Sequence, residues 1–436
     1  MTICFVCLVL VSAVPARSQS ASDSLLHAGT LQGCVRYALM HQPLVRESIV
    51  DEEIAERAIQ SKLADWFPQL NLNFNVQHNP QLPVAIVQGA PINQGLANSS
   101  NIQFTATQAL FNKDVLLASS SASDVRAFAR QRTASTKVDV VVNVSKAYYA
   151  TLVTRQQIVL FDEAVLRLEQ SYKDAYTKYQ GGIVDKTDYM RALIALNNVK
   201  ADRKQAQELL KARYASLKEQ MGYPVDANLE LDGDNTPMEH EALLDTTQSV
   251  NYDNRIEFQL LQTQKRLQED NLNYYEWSFI PSLSAYGGYT INYQNNLFDP
   301  LYSQKYPSSF VGLQLSFPLF QGGKRIQQIK QARLQVDRFG YDLTSLTNNI
   351  NTQYAVALAS YKSNLNNYAA LTENLQYAQD VYRTIQLQYK AGTKSYLEFI
   401  TAETDLRAAQ VNRINALYQL LVSKLDMQKA LGQVSY

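Results

Sequence analysis

The chain repeats itself. Pro43 through Pro68 aligns without a gap on Ile256 through Pro281, a shift of 213 residues. Leu110-Phe111-Asn112 returns as Leu319-Phe320-Gln321, shifted by 209, and Tyr179-Gln180-Gly181-Gly182 as Tyr389-Lys390-Ala391-Gly392, shifted by 210. Met221-Gly222 closes the first copy as Leu431-Gly432 closes the second, again at 210. Four anchors at nearly one shift define two copies of one architecture, 30–222 and 245–432. Between them, 223–244 carries Pro224, Asp232-Gly233-Asp234 and Pro237 and reads as a linker.

Each copy has the same order of elements. A helix over 44–66, or 245–279, runs free of Gly and Pro up to Pro68 or Pro281. Two strands follow, over 69–78 and 101–111 in the first copy and 282–293 and 309–320 in the second. Leu70, Leu72, Phe74 and Val76 alternate with Asn71, Asn73, Asn75 and Gln77; Val311, Leu313 and Leu315 alternate with Gly312, Gln314 and Ser316. Period two with unlike faces marks a strand between two environments. About ten residues suits a tilted strand through a bilayer, and the amide-rich, uncharged second face suits a water-filled lumen. Long helices come next, over 112–180 and 324–390, each roughly 100 Å at 1.5 Å per residue. Return helices over 188–221 and 393–431 complete each copy. Val141, Val144, Tyr148 and Leu152, like Val411, Ile414, Tyr418, Leu421 and Leu425, step by three and four in a coiled-coil seam. Each first helix is expected to stack end to end on a return helix, alongside the long one. Only 16 Gly and 12 Pro among 436 residues, about half the usual share, permit elements of such length.

Four strands cannot close a barrel, and an open sheet edge is not tolerated in lipid. Copies of the chain must therefore share one: two would give eight strands, three would give twelve and room for a channel. The residues alone do not choose.

Composition excludes other classes. Forty Lys+Arg balance forty Asp+Glu, which argues against a nucleic-acid partner. No apolar run long enough for a membrane helix follows the N-terminal segment. That segment, Ile3 to Val14 followed by Pro15-Ala16-Arg17-Ser18, reads as a secretory signal peptide over about 1–20, without the usual positive start. Its removal takes Cys4 and Cys7 and leaves Cys34 alone, so no internal disulfide is expected. Leu31-Gln32-Gly33-Cys34 superficially matches a lipoprotein acylation site but lacks an apolar run before it, and a helix-face cysteine is the better reading. His27, His41, His78 and His240 are scattered, with no metal-ligand spacing, phosphate loop or nucleophile–base arrangement. No cofactor, metal or catalytic residue is expected. A periplasmic hydrolase lacks its constellation, and a secreted coiled-coil scaffold without a pore would have no use for membrane-length alternating strands.

With the repeat in hand, the chain resembles the TolC family of outer-membrane efflux proteins over about 30–432. Thr30-Leu31-Gln32-Gly33-Cys34-Val35 with Ala38-Leu39 and Pro43 is similar to the family's opening segment, Gln42 replacing Asn. Asn254-Arg255-Ile256-Glu257 is similar to its Asn-Arg-Pro-Glu, and Phe317-Pro318-Leu319-Phe320-Gln321-Gly322-Gly323 to the stretch after its last strand. Tyr179-x-x-Gly182 with Asp188 and Tyr389-x-x-Gly392 with Glu398 fit its hairpin turns.

The resemblance implies an α+β membrane protein: a homotrimer with a 12-stranded outer-membrane β-barrel joined to a long α-helical periplasmic barrel. It would be a passive exit duct, docked through a periplasmic adaptor to an inner-membrane pump of the RND or ABC type. The linker would lie in an equatorial belt. By position, Thr187, Asp188, Tyr389 and Lys394 would hold the entrance closed, with Lys394 in place of a usual Arg. Glu398 would form an acidic ring there; a second acidic position of the family is Thr401 here. Gly182, Ile183, Gly392 and Thr393 would touch the adaptor. Residues 79–101 and 294–308 would face outside, with Tyr293, Phe298, Tyr302 and Tyr306 candidates for an interfacial aromatic belt.

Overall fold

The computed structural model describes residues 29–87, 89–232 and 242–436; the signal-peptide reading over 1–20 lies outside them. Helix α1, Leu31–His41, is followed by α2, Pro43–Leu63. Strands β1, Gln69–His78, and β4, Asn98–Phe111, flank a small hairpin of β2, Val84–Val87, and β3, Ala90–Asn93. The first helical hairpin is α3, Lys113–Gln180, and α4, Lys186–Met221. The second copy supplies α5, Ile256–Glu276; β5, Ser282–Asn295; β6, Lys305–Ser316; α6, Lys324–Lys390; and α7, Tyr396–Leu431.

The sheet runs β1-β4-β5-β6, all antiparallel, and the repeat is written into its register. Leu70↔Ala106, Leu72↔Phe104 and Phe74↔Ile102 in the first ladder return as Leu283↔Leu315, Ala285↔Leu313 and Gly287↔Val311 in the second. The shifts are again 213 on one strand and 209 on the other. Cross-strand partners share a face, so the row Leu72, Phe104, Tyr289, Ser309 lies on one side. The row Asn73, Gln103, Thr290, Ser308 lies on the other. The apolar side is bare: Val311 is 90% exposed, and Leu70, Phe74 and Leu313 are exposed too. Both outer strands, β1 and β6, have an unpaired edge among the described residues.

The first and return helices are 21 and 36 residues long in both copies, beside long helices of 68 and 67. Equivalent side chains join the stacked ends. Gln42 donates from Nε2 to the carbonyls of Glu219 and Gln220, 3.0 Å each, at the end of α4. Arg255, its counterpart at a shift of 213, donates to the Ala430 carbonyl at 2.8 Å near the end of α7. The last carbonyls of a helix have no partner of their own, and both junctions supply one. The main core surrounds the midpoint, where Cys34, Val144, Tyr148, Leu217, Met221, Leu420 and Leu421 pack together with linker residues Tyr223, Leu229 and Leu231. Cys34 is fully buried, and that burial pushes its thiol up to about 12.

Several boundaries differ from expectation. The last strand is Lys305–Ser316, not 309–320. Ser316 pairs with Ser282, the first residue of β5 after Pro281, so beyond it there is no partner. Above, Pro307 is accommodated because β6 is an edge strand and needs no N–H there. The helix expected from 245 begins only at Ile256. Before it, Asp245 and Asn251 accept from the backbone N–H two residues on, turns that compete with a helix. Tyr361 and Tyr354 of α6 hold this stretch through Leu244 N and the Gln248 carbonyl. The β2–β3 hairpin was not anticipated. Tyr293 and Tyr302 meet edge to face at 5.1 Å, and Tyr302 lies 3.4 Å from Ser100 Oγ.

Candidate functional site: the hairpin tips

Both helical hairpins turn by the same device. Ile183 N–H donates to the Lys178 carbonyl and Gly182 N–H to Tyr179; Thr393 N–H donates to Gln388 and Gly392 N–H to Tyr389. This double closure requires a left-handed residue after the helix, and Gly182 and Gly392 supply it at φ 71° and 77°. Ile183 projects, 74% exposed. Thr393 ties its hydroxyl back to the Gln388 carbonyl at 3.0 Å.

The return helices start on different caps. Asp185 accepts from Thr187 N–H at 3.1 Å. Ser395 and Glu398 form a reciprocal capping box, with Ser395 N–H donating to Glu398 Oε2 at 3.0 Å. Asp188 and Glu398 are counterparts at a shift of 210, each the third residue of its helix. Their surroundings are not alike. Lys394 Nζ sits 2.6 Å from Glu398 Oε1. That ammonium, then the Ser395 backbone and hydroxyl, hold the Glu398 carboxyl down at about 2. The Asp188 carboxylate has no hydrogen-bond or ion-pair partner in the protomer among the described residues. Within one protomer, then, Lys394 meets Glu398 rather than Asp188.

Tyr389 lies in an aromatic cluster, stacked on Phe399 at 5.1 Å and edge-on to Tyr396 at 5.7 Å, with Lys178 Nζ 4.6 Å from its ring centre. A groove of about 760 Å³ runs beside it, lined by Leu166, Ser171, Lys178, Tyr382, Tyr389 and Phe399. Aromatics also zip the first hairpin, Tyr189 against Tyr176 at 5.5 Å and Tyr179 at 4.9 Å.

The expected residues thus gather at one end of the molecule, but a second set beside them was not expected. Tyr396 Oη lies 3.0 Å from Ser171 Oγ across the seam between α7 and α3, and Glu403 Oε1 lies 3.3 Å from Arg167 Nη2. Glu403 is 1% exposed. The signal was available: Glu403 interrupts the stripe Phe399, Ile400, Leu406 on the buried face of α7. Among the described residues, no group of His, Cys, Asp and Glu could hold a metal ion, and no helix is long and apolar enough to cross a membrane.

Comparison with known proteins agrees with this fold. The outer membrane efflux protein family matches residues 35–223 and 252–433. Outer membrane protein TolC of Vibrio cholerae is 22% identical over 423 residues, covering 95% of this chain and 93% of its own. The probable efflux pump outer membrane protein TtgC of Pseudomonas putida is 23% identical over 444 residues, covering 97% and 86%. The crystal structure of the outer membrane protein VceC from Vibrio cholerae shares the fold, with a TM-score of 0.73, 16% identity and 92% and 96% of the two chains covered.

Proposed function

The chain belongs to the outer membrane efflux protein family, and we propose on that premise that it is the outer-membrane exit duct of a tripartite efflux or type I secretion system. It conducts small molecules or polypeptides passively to the outside and is not an enzyme. The observation that carries this reading is the four-stranded sheet, with one bare apolar face, one uncharged amide-lined face and two free edges. Such a sheet belongs in a bilayer only as part of a closed barrel. Three protomers give twelve strands and a lumen, whereas two give eight and an interior filled by side chains. A pore-less scaffold leaves the sheet unexplained.

The internal repeat supports a specific joint between protomers. The β4–β5 seam joins copy one to copy two, with Phe104 opposite Tyr289 and Ala106 opposite Gly287. Shifting by 209 and 213 places Leu313 of one protomer opposite Val76 of the next, and Leu315 opposite Phe74. The helices follow the same rule. α5 packs on α3 through Arg266 on Asp124 at 2.8 Å and Tyr274 on Asp114 at 2.7 Å. The corresponding face of α6, Gln327, Gln331, Leu334 and Arg338, lines an open groove. The face of α2 that would fill it from the next protomer carries Val50, Glu53, Ile54 and Arg57.

In this reading the hairpin tips form the periplasmic entrance. Asp188, free in its own protomer, takes Lys394 from a neighbour and, with Thr187 and Tyr389, narrows the opening. Glu398 contributes an acidic ring that Lys394 partly neutralises. Gly182, Ile183, Gly392 and Thr393 offer the surface for a periplasmic adaptor, which couples the duct to an inner-membrane RND or ABC pump. Cargo is then chosen by the pump. Reconstitution into planar lipid bilayers tests the reading. Discrete ion-conducting steps of low conductance are expected, and a protein that never inserts or conducts overturns it.

A further inference from the structure

We propose that the Arg167–Glu403 pair is a charge latch across the seam between the two hairpins of one protomer, and that its balance sets how readily they part at the entrance. The proposal rests on reading this end as the entrance. The seam between α3 and α7 runs the length of the tunnel half: Ser171 with Tyr396, Arg167 with Glu403, Gln157 with Asn415 at 2.7 Å, Lys146 with Asp426 at 2.6 Å, and Asp139 with Lys429 at 2.7 Å. Every carboxylate in it except Glu403 is substantially exposed. Exposed pairs part easily because water replaces the partner. Glu403 has no water to turn to.

The repeat sharpens the contrast. Shifted by 210, Arg167 and Ser171 become Tyr377 and Val381, and Glu403 becomes Leu193, all exposed in the protomer. The proposed seam between neighbouring protomers therefore lacks this ion pair where the seam inside a protomer carries a buried charge. The latch is confined to the internal seam.

A buried ion pair is an ambivalent device. Removing one partner strands the other charge, whereas removing both is often harmless. The groups facing Glu403 are Arg167 of α3, itself 3.8 Å from Glu163, Tyr382 of α6, and Tyr396 and Arg407 of α7, the last in turn 3.6 Å from Asp202 of α4. Burial outweighs the two guanidiniums and raises the Glu403 carboxyl above its ordinary range. The sign follows by linkage: the closed seam binds the proton more tightly than a parted one, so acid favours closure and rising pH weakens it.

The test compares Arg167→Met, Glu403→Gln and the double variant as full-length protein in planar bilayers, with melting curves in detergent to confirm assembly. The latch predicts a several-fold higher closed-state conductance for Arg167→Met and reversion toward the parent in the double variant. Glu403→Gln stays closed, because Arg167 keeps Glu163 at 3.8 Å and Arg407 keeps Asp202 at 3.6 Å, and it loses the parent's fall in conductance on mild acidification. Equal conductance of Arg167→Met and parent, or a double variant as open as Arg167→Met, overturns the latch. A parent that does not conduct at all defeats the duct reading instead, so the two failures are distinguishable.

Discussion

At the scale of residues, two carboxylates at equivalent positions have different work. Among the described residues of its protomer the Asp188 carboxylate has no partner, while Glu398 is held by Lys394 and by its own helix cap. Reversing the charge with Asp188→Arg removes the contact offered to a neighbour, and the closed-state conductance in planar bilayers is expected to rise. Lys394→Gln strips the counter-charge from Glu398. Cation selectivity, and block by multivalent cations added from the tip side, are then expected to increase. The pH behaviour separates Glu398 from the buried Glu403. A depressed carboxyl contributes its stabilisation above its unfolded value and loses it only as pH falls toward about 2. Between about pH 5 and 8 Glu398 is therefore silent, and a Glu398→Gln protein should keep the parent's pH profile. The tip turns were legible because Gly182 and Gly392 each follow a long stretch of helix. The partner of Lys394 was not, because a residue four along its own chain competes with one across an interface, and spacing cannot rank them.

At the scale of elements, the repeat carried most of the fold: strand pairs, long helices, return helices and their order follow from anchors at nearly one shift. The misplaced boundaries have local causes. Absence of Gly and Pro over 245–255 suggested helix, but Asp245, Asn251 and tyrosine hydroxyls from α6 turned the chain into an extended strap. Alternation over 309–320 suggested a strand, but a strand ends where its partner ends. Helix stacking makes a further prediction. Arg255, nearly fully buried, donates to the Ala430 carbonyl and also to Glu257 and Gln353. Arg255→Ala leaves these acceptors without a partner and should cost about 2 kcal/mol. Gln42→Ala, the counterpart, removes neutral bonds and should cost about 1 kcal/mol. Chemical-denaturation midpoints followed by helical circular dichroism check both, and the order Arg255 above Gln42 is the content of the prediction.

At the scale of the whole molecule, duplication explains why the protomer is incomplete. One copy-to-copy seam lies inside the chain, between β4 and β5 and between α3 and α5, and the proposed assembly puts its twin between protomers. In that assembly the unfilled β edges, the open α6 groove and the exposed α2 face are the twin divided in two. The number of protomers was not legible in the residues, because edge chemistry fixes the joint and not how many joints close the ring. The most direct measurement is cysteine cross-linking of Phe74→Cys with Leu315→Cys in full-length membranes, Cys34 being buried and the single variants serving as controls. Opposed residues on paired strands stand within disulfide reach, whereas His78→Cys with Leu315→Cys is displaced by four residues, roughly 13 Å. The account predicts oxidation of the first pair to a covalent ladder ending at three chains, with the displaced pair unlinked. A ladder ending at two, or cross-linking of the displaced pair instead, would contradict it.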